Sequence, residues 1–174
     1  MPISTKKLIN YCNQYLDITN FKDYCPNGLQ VQGTTEIKSI VSGVTASQAL
    51  IDKAVKLKAD AVLVHHGYFW KNENPTITGI KYQRIKKLIQ HDINLIAYHL
   101  PLDAHTEVGN NALFASALNI ELTDTFGPNQ LGLLGTIEKT SGDKFNELLS
   151  KVLDRPPLQI SNERPIKTVG LCTG

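Results

Sequence analysis

Between residues 38 and 119 the chain alternates short β-branched runs with segments of helical period, and this alternation restricts the fold more than any other feature. "KSIVSGVTA" (38–46), "DAVLVHH" (60–66) and "INLIAYHL" (93–100) read as strands. "SQALIDKAVKLKA" (47–59) and "ITGIKYQRIKKLIQHD" (77–92) separate them with apolar residues at three- and four-residue steps, and "TEVGNNALFASALN" (106–119) follows as a further helix. Ser47 stands where a helix N-cap is needed. Strands joined through helices run parallel, so the expected fold class is α/β, with a largely parallel or mixed sheet and helices on both faces. Such sheets place their chemistry beyond the carboxyl ends of the strands.

The flanking segments are less regular. "STKKLINYCNQYLD" (4–17) has helical spacing with Ser4 or Thr5 as cap, and "DYCPNGLQVQG" (23–33) reads as a turn at Pro26-Asn27-Gly28 followed by a short strand. After Gly127-Pro128 the pattern changes to strand (131–140), capped helix (141–154) and short strand (156–160). The organisation expected is an α/β domain over 1–126, a small α+β lobe over 127–164, and over 165–174 the first strand of a further segment. "PIKTVGLCTG" then reads as a chain end inside a βα unit, which would leave apolar surface around Val169 and Leu171 exposed.

Composition narrows the function classes. With 18 Lys and Arg against 16 Asp and Glu, the chain lacks the basic excess of a nucleic-acid binder. The lysines at 53, 56 and 58, and the basic residues at 81, 84, 86 and 87, fall on predicted helices as solvated faces. Cys12, Cys25 and Cys172 are odd in number and widely spaced, which suggests neither a disulfide framework nor a zinc knuckle. The N-terminus lacks the apolar core of a signal peptide and no run is long enough for a membrane span, so a cytoplasmic protein is expected. Neither a P-loop nor a Rossmann glycine fingerprint is present.

The histidines carry the chemistry. His65 and His66 end one predicted strand, His99 ends the next, and Asp103 and His105 follow in "YHLPLDAH" (98–105). Consecutive parallel strands are commonly neighbours, so the two segments are expected at one sheet edge. Imidazole with carboxylate is a ligand set for zinc, iron or manganese, although a single strand-end histidine is ordinarily just a surface polar group. Adjacent residues on a regular strand point to opposite faces, so His65 and His66 do not easily share one ion there; beyond the strand end, where Gly67 frees the backbone, both rings can turn toward one cleft and then suit two neighbouring ions better than one. His91 reads as a helix-end residue, His105 as a helix cap, and Phe69 and Trp70 as core or interface aromatics.

"YCPNGLQV", "GVTASQALIDKAV", "ADAVLVHHGYFWK", "INLIAYHLPLDAH", "GNNA" and "VGLCTG" together closely resemble the GTP cyclohydrolase I type 2 homologues, also called NIF-three-like dinuclear metal centre hexameric proteins. The resemblance spans nearly all of the chain. It implies metal ligation by His65, His66 and Asp103, with His99 as a further ligand or a hydrogen-bonding neighbour of one. It also implies a homohexamer and up to two divalent ions in an intact member, whose site is completed by a C-terminal His-x-x-x-Glu motif that this sequence lacks. At most one weakly held ion is therefore expected here, with the His65 side empty. The implied activity is water activation on a nucleotide or similar small polar substrate, with opening of the guanine ring of GTP as the family name suggests. A non-enzymatic metal-handling assembly uses the same ligands, and an interaction scaffold is a third reading.

Overall fold

In a computed structural model of the protein, residues 1–160 and 162–173 are described. The chain divides into two compact units, Met1–Pro101 and Leu102–Gly174. The fold is α/β, as the alternation implies, and each unit has its own sheet.

The first unit is built on a four-stranded sheet. Its strands are β2 (Gly28–Val31), β4 (Ile40–Thr45), β5 (Ala61–His66) and β6 (Asn94–Ala97), in the spatial order β2-β6-β5-β4. The pairs β4·β5 and β5·β6 are parallel, whereas β2 runs antiparallel to β6, so the sheet is mixed. β5 and β6 hold the middle positions, which explains their unbroken apolar runs: Val62, Leu95 and Ala97 are wholly buried. A small ribbon pairs β1 (Ile3–Ser4) with β3 (Glu36–Ile37).

The helices follow their local signals. Ser4 Oγ accepts from the Lys7 N–H at the start of α1 (Thr5–Tyr15), and Ser47 Oγ accepts from the Leu50 N–H at the start of α2 (Gln48–Lys56). Helix α3 (Gly79–Gln90) ends on His91 as its C-cap. Ile51, Ala54, Ile85 and Leu88 carry the buried stripes of α2 and α3 into one core with Val62, Val64, Ile93 and Leu95.

Two polar residues lock the strand entries. Asn94 is wholly buried: its Oδ1 accepts from the Gly33 N–H at 2.9 Å, and its Nδ2 donates to Thr34 O at 2.9 Å and Asp60 O at 3.2 Å. Asp60 accepts from the backbone N–H groups of Lys38 (2.8 Å) and Ser39 (2.9 Å) and from the Ser39 hydroxyl (3.2 Å), joining the starts of β4 and β5. The Lys38 N–H first, helped by Ser39 and the Lys38 charge, holds the Asp60 carboxyl below its ordinary range against a smaller desolvation effect.

A folded pKa below the unfolded value gives stabilisation that is present above about pH 4 and lost as pH falls through the folded value. Because Asp60 is well solvated, Asp60→Ala should cost only about 1 kcal/mol at neutral pH. That difference should shrink as urea unfolding is repeated at progressively lower pH. A penalty that stays constant well into acid would exclude the carboxylate as its source.

The second unit contains α4 (Leu100–Ala104), which the division between units cuts, α5 (Asn110–Ala117), α6 (Gly142–Leu153) and an antiparallel sheet. The sheet is ordered β7 (Glu121–Phe126), β8 (Gly132–Thr140), β9 (Ile166–Leu171). Ser141 caps α6 through the Lys144 N–H, as its sequence suggests.

Several expectations are corrected. Residues 156–160 form no strand; Leu158 and Ile160 lie exposed on a segment without regular secondary structure. The strand expected over 93–100 stops at Ala97, because the chain turns into α4, where Pro101 sits in the first turn and its missing N–H is harmless. The helix expected from Thr106 starts at Asn110, since residues 106–108 form a turn. Val169 and Leu171 do not form an exposed apolar patch. Leu171 is buried and Val169 packs partly buried beside it against Ile120, Leu133 and Phe145, because β9 is paired along β8.

Candidate metal centre

The parallel ladder between β5 and β6 runs as far as Val64 and Ala97, while β4 still pairs with β5 at His66 through Thr45. On the β6 side the chain then leaves the sheet, so the rings at the end of β5 can swing into the space beyond Ala97. His65 and His66 both still belong to the strand, yet their ring centroids are only 4.5 Å apart. His99 completes the group at 5.0 Å from His65 and 5.8 Å from His66.

Gly67 is required by what lies next to it. A Cβ at this position would meet Ala97 Cβ at 2.8 Å and Gln30 Oε1 at 2.2 Å, and that Gln30 oxygen accepts from the Tyr68 N–H at 2.7 Å.

Ring orientation is set by hydrogen bonds on one nitrogen. His65 Nδ1 donates to the Tyr98 carbonyl at 3.0 Å, and the Tyr98 hydroxyl is anchored on Asn13 Oδ1 of α1 at 2.8 Å. His99 Nδ1 donates to Asp23 Oδ1 at 2.7 Å. His66 Nδ1 lies 3.4 Å from the Thr45 hydroxyl. An imidazole whose Nδ1 carries a proton to an oxygen acceptor ligates a metal through Nε2, the arrangement that fixes tautomer and ring angle in metal-bound histidines.

Asp23 is the residue that sequence reasoning missed. Its side chain is only 3% exposed, and besides His99 it accepts from Leu100 N–H at 2.9 Å, Asn27 Nδ2 at 2.8 Å and Tyr24 N–H at 2.6 Å. Burial alone would push its carboxyl up. The hydrogen bonds from His99, Asn27, Tyr24 and Leu100 outweigh burial and hold it below the ordinary carboxylate range. Asn27 Oδ1 accepts from the His99 N–H at 2.8 Å, so the loop 23–27 clamps the segment carrying His99. "DYCPNG" contains this information only as a turn; nothing local in it names a partner 76 residues away.

One ligand atom from each of His65, His66 and His99 can be chosen so that all lie within 4.8 Å of one another. Nitrogens around a tetrahedral zinc lie about 3.4 Å apart, so a closing movement of roughly an ångström per pair would draw the rings onto one ion. The donor set therefore fits one divalent ion of the imidazole-binding class. Asp103 falls in the second unit, on α4; it is buried, and its Oδ1 accepts from Asn110 Nδ2 at 2.8 Å. His105 caps a turn rather than a helix, its Nδ1 accepting from the N–H groups of Glu107 and Val108.

Trp70, read from sequence as a core or interface aromatic, is half-buried with its ring edge-on to His99 at 4.9 Å and 6.0 Å from His66. Phe69 beside it packs against the core at φ 66°, a strained value for an aromatic residue, with the Lys81 ammonium 5.3 Å from its ring centre. Trp70 is the chain's one tryptophan. Binding of cobalt(II), which quenches nearby indoles, should therefore reduce the intrinsic emission with the same stoichiometry as metal uptake. Bound cobalt with unchanged emission would put the ion away from this edge.

A group of imidazoles at the carboxyl ends of neighbouring parallel strands defines an α/β protein with a candidate divalent-metal centre. The chain belongs to the Duf34/NIF3 (NGG1p interacting factor 3) family, whose model matches residues 3–174. It is 47% identical over 178 residues to a GTP cyclohydrolase 1 type 2 homolog of Pseudomonas aeruginosa, covering 100% of this chain and 71% of that protein. A protein of the same name in Haemophilus influenzae is 52% identical over 93% of this chain and 66% of its own length. The chain thus spans about two thirds of the length of these relatives.

Among solved structures, "protein ybgI, unknown function" superposes with a TM-score of 0.93 at 44% identity, covering 99% of this chain and 70% of that one. TTHA1606 from Thermus thermophilus gives 0.82 at 32% identity, covering 95% of this chain and 68% of that one. Among the described residues, no helix is long and apolar enough to cross a membrane.

Proposed function

We propose that the protein is a divalent-metal-binding, hydrolase-like member of its family, acting on a nucleotide or similar small polar substrate. The observation that carries this reading is the convergence of His65, His66 and His99, with two of the rings oriented through Nδ1. Zinc and iron suit the imidazoles, and manganese suits the set once a carboxylate such as Asp103 joins it. Bound there, such an ion supplies Lewis-acid polarisation and lowers the pKa of water toward neutrality. The chain itself contributes the fixed ring angles, the Asp23 carboxylate that steadies His99, and the Trp70 edge that walls one side. Asp103 is proposed as a further ligand on the strength of the family motif alone, and homo-oligomerisation and a cytoplasmic location are proposed with it. The names of the relatives make GTP the first substrate to try.

The test is turnover of a nucleotide panel, GTP included, by metal-reconstituted protein, followed by chromatography. Metal-dependent loss of a nucleotide that disappears in His66→Ala supports the reading. Stoichiometric, exchangeable metal without turnover of any nucleotide would replace it with a metal-handling role.

A further inference from the structure

We propose that Asp23, Cys25 and His99 form a second metal position, selective for a thiophilic ion such as zinc or cadmium, which draws on His99 from the opposite side of its ring. One ligand atom from each of the three lies within 4.8 Å of the other two, as in the imidazole group. The residues come from one clamp: Asp23 and Cys25 are on the loop whose Asn27 and Asp23 bind the backbone of His99 and Leu100, so their spacing is held by hydrogen bonds. All three are well enclosed, with Cys25 8% exposed and the side chains of Asp23 and His99 at 3% and 13%. A thiol, a carboxylate and an imidazole are a mixed donor set for zinc-like ions, with a fourth position for water.

The chemistry selects the ion. A hard cation has little affinity for sulfur and would leave the Cys25 thiol protonated. A thiophilic ion displaces that proton. Loading breaks the Nδ1–H···Oδ1 bond between His99 and Asp23; the ring carries its proton on Nε2 instead, the thiol proton leaves to solvent, and the ion gains S, O and N ligands. Nε2 of His99 is then protonated and closed to the imidazole group. The two positions therefore compete for His99, and the identity of the available metal decides which is filled. This inference does not depend on hydrolysis.

The test is cadmium titration of the 174-residue chain, read by the sulfur-to-cadmium charge-transfer band and by the cadmium NMR resonance. The band is expected to saturate at one ion per chain, with a resonance in the single-sulfur range. It should persist in a Cys12→Ser/Cys172→Ser double variant, disappear in Cys25→Ser, and need at least about tenfold more cadmium in Asp23→Asn. It should also survive His65→Ala/His66→Ala, whose manganese binding is lost; this separates the position from the imidazole reading. A band retained in Cys25→Ser, a band lost with the other two cysteines, or a resonance in the nitrogen-and-oxygen range would each overturn the proposal.

Discussion

Replacing His65 and His66 together with alanine should weaken manganese binding by more than about 100-fold, since loss of an outer hydrogen-bond partner alone typically costs roughly 10–100-fold. The three-imidazole group would be reduced to His99, and one imidazole does not retain an ion against water. Stability should change little. Both rings are only partly buried at the end of β5, beyond the ladder to β6, so the loss should stay within about 1 kcal/mol. Asp23→Asn should fall between the parent and the double variant, because it keeps the ligands but weakens the bond that orients His99. Equilibrium dialysis with elemental analysis, paired with thermal unfolding, measures both quantities. Full manganese retention by the double variant would remove the imidazole group as the site.

Asn94→Ala should be the more damaging change to the fold. It strands the Gly33 N–H, whose partner is Asn94 Oδ1, and removes donors from Thr34 O and Asp60 O in a wholly buried setting. Thr34 O keeps the Thr5 hydroxyl and Asp60 O keeps the Asn94 N–H, so one donor rather than three groups is left unsatisfied. The expected loss is about 2–4 kcal/mol, or roughly 5–15 °C in Tm for a chain of this size. Asn94→Asp should be at least as harmful, because it sets a carboxylate oxygen against two carbonyl oxygens in the same enclosed space. Differential scanning calorimetry of both variants checks the ordering. An Asn94→Asp variant as stable as the parent would mean that water reaches this amide.

The helix caps were legible because their causes are local. Ser4, Ser47 and Ser141 each bond to an N–H three residues on, and the apolar period that follows them names the buried face. The parallel core was legible for a related reason: β5 and β6 are buried on both faces and read as unbroken apolar runs. β7 was not. "ELTDTF" is exposed at every position and carries no apolar period; it is a strand because β8 lies beside it.

The same boundary runs through the site. That His65 and His66 end one strand and His99 lies just past the end of its neighbour follows from the order of strands and helices, and placement near a strand end is a property of the local sequence. That their rings converge depends on β6 stopping at Ala97, which is set by the turn into α4. The Asp23 clamp depends on a hydrogen bond across 76 residues, and the proximity of Cys25 follows from the same clamp. By itself the sequence determined the element types, the caps and which chemical groups stand at the strand ends, because backbone sterics and solvation act over a few residues. Only the tertiary structure decided which nitrogen each ring presents and what lies behind it, because those depend on distances between segments that no local period encodes.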